Sequence, residues 1–540
     1  MRTLFTRLRI PFALLSAALV FAPRASVAQS ALRFSLPFGP HVVGYRSVIL
    51  YDQSRNVPKD TVDESGAPVT APRPRPVHLS IWYPARPSNA GTMKYRDYLA
   101  LYGSSLKVPA TTDAGRRAAE ESLTRWTNLL IRSPGVSIAA RSDSLRAAIR
   151  REGALPTHAR LNAIPDGHAY PIAIYGAGAE GPSFENDVLM EYLASYGYLA
   201  VGVPSWTETG GPILDNAPSL ETAARDMELA LRYARERPGE ATERVALMGW
   251  SWGGFASVVV ASRNQSVAAV VGLDASVRYY WHDPSLRDKV ENSYSFATPS
   301  LFINQGGTPL STIAQIGGDT TFAFYDSLRY ADKYRVTLRD MRHQNFAAMY
   351  NRLAGPQPAF FVSDPNVASA GYMTIAKYIV TFLDAYLKRD ASSRRLLEQA
   401  RTQLGLPDTN VTMDHRLARR PVPTMAAFRQ ALGPGGWAGA PGVLERLQRS
   451  DSDYTLHRDS LESTGSAFLD DDRVAEGVGA YRVYVKLFPK APRSWNGLAD
   501  AYAAAHDTAN AVASYQEALK LVPTNARAMA GLKRLGKTPP

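Results

Sequence analysis

From Tyr170 onward the chain alternates short, almost wholly apolar runs with longer segments of mixed polarity. The runs 171–175, 199–203, 245–248, 267–273, 300–304 and 335–339 are too short for helices, and their composition suits strands buried on both faces. Between them, 184–196 suits a helix, and 221–237 sets Ala224, Met227, Leu231 and Ala234 on one face at helical spacing. A last helical pattern, 372–387, closes the series. Strands alternating with helices predict right-handed crossovers and a mostly parallel sheet covered on both sides. Ligands in such sheets bind beyond the carboxyl ends of the strands.

Before Tyr170 the pattern differs. Runs 42–51 and 77–83, the second stopped by Pro84, read as the antiparallel start of a mixed sheet, joined by a Pro- and Asp-rich loop over 52–76. Residues 95–160 carry helical patterns at 118–131 and 142–151 without strands, which reads as a helical insertion that either covers a site or only packs. Beyond Asp390 come Pro421, Pro423 and a Gly/Pro-rich run over 432–442, so 391–457 reads as a linker with a few helical turns. In 458–536, Leu461, Gly465, Tyr481 and Pro489 recur 34 residues later as Trp495, Ala499, Tyr515 and Pro523, the second copy adding Leu498, Tyr502, Ala511 and Ala518. Small residues where two helices cross, large ones filling the gaps and proline at the exit resemble the tetratricopeptide pattern. Two copies need support, from helices in 424–449 or by docking on the preceding domain. The segment is expected to be a groove for a protein partner or a packing appendage.

At 540 residues the chain suits two or three domains. It holds no cysteine, which excludes disulfides, thiolate zinc sites and a lipid-modified N-terminal cysteine. Of the +12 formal charge, Arg2, Arg7, Arg9 and Arg24 lie in the first 28 residues, which lack Asp and Glu. Arg2, Arg7 and Arg9, the apolar run 11–22 and Ser26-Val27-Ala28 have the form of a secretory signal cleaved before Gln29. Export to a periplasmic or extracellular location is the expectation. No later run is apolar for the ~20 residues a spanning helix needs. No basic stripe interleaved with aromatics argues for nucleic acid. The division expected is thus 1–28 signal, 29–390 α/β domain, 391–457 linker and 458–536 helical repeats.

The chemistry centres on Gly249-Trp250-Ser251-Trp252-Gly253, which follows the apolar run 245–248 and precedes the small and apolar segment 254–262. A G-x-S-x-G turn between strand and helix exposes its serine at the tip, because glycines on either side let the chain reverse and pack closely. A serine hydroxyl needs a base, and the base needs a carboxylate to fix its tautomer. Of the histidines that follow, only His343 stands one short loop past the last strand; His282, His415, His457 and His506 do not. Asp274 ends the run 267–273 and would share a sheet edge with Ser251; Asp319 and Asp326 compete for its role. Two backbone donors for an oxyanion are expected from Trp252 and from the loop after 171–175, most simply at Ala177. Trp250 and Trp281, with Trp252, Tyr279 and Tyr280, are candidates to wall an apolar substrate pocket or to be ordinary core.

Gly249-Trp-Ser-Trp-Gly-Gly254, Gly272-Leu-Asp-Ala275 and His343-Gln-Asn-Phe346 resemble the motifs of the platelet-activating-factor acetylhydrolase and dienelactone hydrolase-like branch of α/β hydrolases, over roughly 40–390. The resemblance implies an α/β-hydrolase fold with Ser251, Asp274 and His343 as triad and Ala177 and Trp252 as oxyanion donors. Tyr175 stands where that branch often has histidine, and 95–160 has no counterpart in it. The expectation is an exported serine hydrolase of small-molecule esters, working without metal or cofactor. A peptidase of the same fold, or a repeat-bearing adaptor with an inactive hydrolase body, are the alternatives.

Overall fold

A computed structural model describes residues 36–57, 73–100, 138–207, 213–236, 241–264, 266–291, 293–315, 317–353, 365–398 and 410–538. The signal-like segment 1–28 and the helical pattern 118–131 lie outside them.

Ten strands form one sheet: β1 (Val42–Val57), β2 (Arg73–Ala85), β3 (Ala159–Leu161), β4 (Tyr170–Gly176), β5 (Leu199–Val203), β6 (Ala241–Trp250), β7 (Val267–Leu273), β8 (Ser300–Gln305), β9 (Lys333–Leu338) and β10 (Val411–Arg416). Their order is β10-β9-β8-β7-β6-β4-β5-β2-β1-β3. Strands β4 to β9 are mutually parallel, while β2 runs antiparallel to β5, and β1 antiparallel to β2.

The two-residue period of the strands sorts the core. Ala173, Tyr175, Ala246, Met248, Val271 and Ile303 join one apolar cluster, with the helices Asp187–Ser195 and Pro365–Tyr386. Their neighbours Ile172, Ile174, Val245, Leu247, Val270 and Phe302 join a second, with Ala217–Arg235 and Ser251–Arg263. Both faces are therefore covered, which is why the central runs show no polar alternation. The chain steps from β4 outward to β5, then crosses back to β6 on the other side of β4. Such a reversal of strand order opens a crevice at the carboxyl ends. With β3 and β10 set aside, this is the α/β-hydrolase fold.

Two elements depart from the sequence reading. The span 95–160 is not free of strands: β3 adds parallel to β1 at the sheet's edge. The stretch read as a linker supplies β10, which pairs antiparallel with β9 from Val411↔Leu338 to Arg416↔Lys333. Its helices Met425–Leu432 and Ala440–Ser450 share one apolar cluster with Leu461, Tyr481, Tyr484 and Leu498 of the helices that follow. That all-α segment runs through Arg458–Asp470, Val474–Leu487, Pro492–Ala504, Thr508–Leu521 and Ala526–Arg534. The 34-residue spacing appears in its packing: a Cβ on Gly497 would lie 2.0 Å from the Tyr481 ring, and one on Gly531 2.1 Å from the Tyr515 ring. Asp451 accepts from Tyr330 Oη at 2.6 Å and pairs with Arg419 at 3.2 Å, and Asp453 pairs with Arg329, so the segment is tied to the sheet's β9 end. No helix among the described residues is long and apolar enough to cross a membrane.

Candidate active site

Strand β6 ends at Trp250, and the next residue, Ser251, already opens the helix Ser251–Arg263. A reversal that abrupt leaves Ser251 at φ +52°, left-handed backbone that costs a non-glycine residue on the order of 1–3 kcal/mol. The surrounding glycines permit it. A Cβ on Gly253 would sit 2.0 Å from the carbonyl oxygen of Gly176, and one on Gly249 2.4 Å from the carbonyl carbon of Gly253. The carbonyl of Ser251 accepts from the Ser276 amide at 2.8 Å, which anchors the turn to the loop after β7.

Asp274 is the first residue past β7, fully buried, at φ +39°. Its amide donates to Ile303 O at 2.7 Å. Its carboxylate accepts from Tyr279 Oη at 2.9 Å on each oxygen and from the Gln305 amide at 3.1 Å, with the Arg278 guanidinium 3.6 Å away. Burial pushes this carboxyl up, but the His343 bond, the His343 and Arg278 charges and the Gln305 amide outweigh it and hold the group below the usual aspartate value.

His343 begins a 3₁₀ turn, His343–Phe346, a short loop past β9. Its Nδ1 lies 2.6 Å from Asp274 Oδ2 and its Nε2 2.9 Å from Ser251 Oγ. Donation from Nδ1–H to the carboxylate leaves the Nε2 lone pair to accept the serine proton. The Trp250 indole braces the ring, its Nε1–H donating to the His343 carbonyl at 2.9 Å and its rings 4.9 Å from the imidazole. The competing acids are elsewhere engaged: Asp319 caps Thr321, and Asp326 sits in the helix Ala323–Ser327.

Other expectations change. The Ala177 amide is not open to a ligand, because it donates to Val203 O at 3.0 Å, a sheet bond between adjacent strand ends. In the turn that follows, Gly178 N–H donates to Glu185 and Gly181 N–H to Gly178 O, while no bond within the described residues uses the amides of Ala179 and Glu180. Trp252, second residue of its helix, has an amide with no intrahelical acceptor. Neither Trp250 nor Trp281 presents an open ring. Trp250 is 3 % exposed between His343, Tyr350 and Gly178, and Trp281 is 9 % exposed against Phe324. Both are too hydrophobic, and too well provided with ring partners, to be left facing water. Tyr279 serves Asp274, and Tyr280 donates to Asp215 at 2.7 Å.

Sequence reasoning missed the polar groups behind the site. Glu180, at φ +61°, accepts from the Ile213 amide at 3.0 Å, and burial raises its carboxyl to about 7. Glu185 and Asn186 are fully buried beside it in sequence. The one available signal was the cluster of polar residues ahead of the helix Asp187–Ser195, which resembles an ordinary exposed cap.

Among known proteins, a model of the dienelactone hydrolase family matches residues 207–294, a span that holds Ser251 and Asp274 and ends before His343. No curated protein sequence matches the chain. Among solved structures, a ferulic acid esterase from Streptomyces cinnamoneus superposes with a TM-score of 0.47 at 17% identity, covering 71% of this chain and 99% of that one.

Proposed function

We propose that the chain is a serine hydrolase that cleaves carboxylic esters through an acyl-enzyme. The observation that carries this reading is the unbroken line from Ser251 Oγ through both nitrogens of His343 to Asp274, at 2.9 and 2.6 Å, with the serine at the left-handed tip of a turn. The match to the dienelactone hydrolase family supports hydrolysis as the reaction.

In this reading His343 Nε2 takes the Ser251 proton as Oγ attacks the ester carbonyl, and buried, ionised Asp274 stabilises the imidazolium that forms. The tetrahedral oxyanion is held by backbone amides. Trp252 supplies one; Ala179, whose N–H has no partner among the described residues, supplies the other in place of Ala177. His343 then returns the proton to the departing alcohol. A water, deprotonated by the same nitrogen, attacks the acyl-serine and releases the acid, which restores Ser251. Each step uses only this chain's groups and water.

The proposal extends to export, with residues 1–28 as the signal, and to a tetratricopeptide-like C-terminus, supported by the 34-residue recurrence of glycine against tyrosine. The test of the enzymatic reading is a panel of p-nitrophenyl esters beside peptide p-nitroanilides, with Ser251→Ala as control. Ester turnover that disappears in the variant supports it. Faster cleavage of the anilides would favour a peptidase, and turnover that survives in the variant would refute Ser251 as nucleophile.

A further inference from the structure

The two parts of the site that must stay in register come from distant stretches of chain: the turn 177–181 beside Ser251, and the segment that carries His343. Behind them, consecutive buried residues reach both. Glu185 Oε2 accepts from the Gly178 amide at 2.9 Å and from Tyr175 Oη at 2.8 Å. Asn186 Nδ2 donates to the same Tyr175 oxygen at 3.2 Å and to Phe346 O at 2.9 Å. Asn186 Oδ1 accepts from the Ala348 amide at 3.0 Å and from Tyr372 Oη. The Glu185 carbonyl accepts from the Met349 amide at 3.1 Å. A continuous bonded path thus runs from the turn to residues three and five beyond His343, through a place with no access to water.

We infer that Glu185, with Asn186 and the Tyr175 hydroxyl, is a positioning residue that holds the oxyanion-side turn and the histidine-bearing segment in one fixed relation. The inference rests on the hydrolase reading above. Three features favour positioning over simple packing. Glu185 is fully buried yet its side chain makes no ion pair among the described residues, so it is not placed there to neutralise a charge. Its second oxygen has no hydrogen-bond partner among the described residues, a cost that a leucine of similar size would not carry. Its one bond to the turn goes to the amide immediately before Ala179, so losing it frees the peptide that orients the free donors.

Glu185 touches neither Ser251 nor His343, so its effect should fall on turnover rather than on binding. Removing an oxyanion donor outright typically costs 10²–10³ in kcat. Loosening one should cost less, about 10- to 100-fold. The test compares the wild type with Glu185→Gln, which keeps an acceptor for Gly178 and Tyr175, and Glu185→Leu, which does not. Kinetics on a p-nitrophenyl ester are paired with hydrogen exchange over 176–181 and 344–349. The expectation is that Glu185→Gln stays within about threefold of wild-type kcat, while Glu185→Leu loses about 10- to 100-fold with KM within about threefold. Exchange should quicken in both peptides of the leucine variant, although the lost side-chain bonds reach only the first. Wild-type kcat in the leucine variant, a loss carried by KM, or quickening confined to 176–181 would overturn the inference. Should Glu185→Leu not fold, Tyr175→Phe removes the shared hydroxyl and must quicken exchange over 344–349; unchanged exchange there is the refuting result. A wild type that turns over no ester would count against the hydrolase reading alone, because the exchange comparison stands without it.

Discussion

The isolated carboxyl of Glu185 makes a prediction about stability that is independent of turnover. Burial pushes this group from 4.5 up to about 8, and the Gly178 and Tyr175 bonds offset only part of that rise. Unfolded, the same glutamate ionises near its ordinary value. Between pH 4.5 and 8 the folded chain therefore holds a proton that the unfolded chain has released. Stability from this group is fully present below the unfolded pKa and is lost as pH rises through the folded one. Each pH unit in that window costs about 1.4 kcal/mol, so pH 5 to pH 8 would cost up to ~4 kcal/mol, and on the order of 2 kcal/mol if the surroundings relax around the charge. Glu180, raised to about 7, and Asp187, which burial pushes up against the pull of Arg352, also shift upward, so the slope of one protein cannot be assigned to one residue. The difference between wild type and Glu185→Gln can. Urea unfolding at pH 5, 6, 7, 8 and 9 should show the glutamine variant gaining on wild type as pH rises, then levelling above about pH 8. Two curves that run parallel across this range would mean the carboxyl is solvated or paired with a cation, and would refute the buried, unpaired placement.

Two further outcomes follow from the geometry. Asp274→Asn would present an amide where His343 Nδ1–H needs an acceptor, turning the imidazole toward the wrong tautomer; kcat should fall about 10⁴-fold with little change in KM, and a loss under tenfold would contradict the role given to Asp274. A chain ended after Asp390 would lose β10 from the edge of β9 and the Asp451 acceptor of Tyr330, so its melting temperature should drop by roughly 5 °C or more, or it should aggregate through the bared edge. An unchanged melting temperature in scanning fluorimetry would show that the sheet is complete without that strand.

How much of this could be read beforehand depended on how local the cause was. The central strands were legible because burial on both faces leaves an unbroken apolar run, as in 267–273. The Ser251 turn was legible because only glycine tolerates the contacts at positions 249 and 253. Strand β10 was not: Val411-Thr-Met-Asp-His-Arg416 lies at an edge and carries charges, so its pairing with β9 leaves little pattern. The Ala177 amide was misjudged because its sheet bond to Val203 O depends on how far β4 and β5 extend together, a matter of register. Trp250 and Trp281 were ambiguous because an aromatic near a turn has the same sequence whether it faces a pocket or the core. Glu185 gave little sign because a glutamate ahead of a helix is usually solvated, and its partners Tyr175, Gly178 and Met349 are brought to it only by the fold.

A fluorophosphonate probe followed by peptide mass analysis tests the proposed nucleophile most directly. The folded wild type should carry one phosphonyl adduct, on the peptide containing Ser251, formed far more slowly once His343 is replaced by alanine. A folded wild type that stays unlabelled, or an adduct on a different serine, would contradict catalysis at this turn.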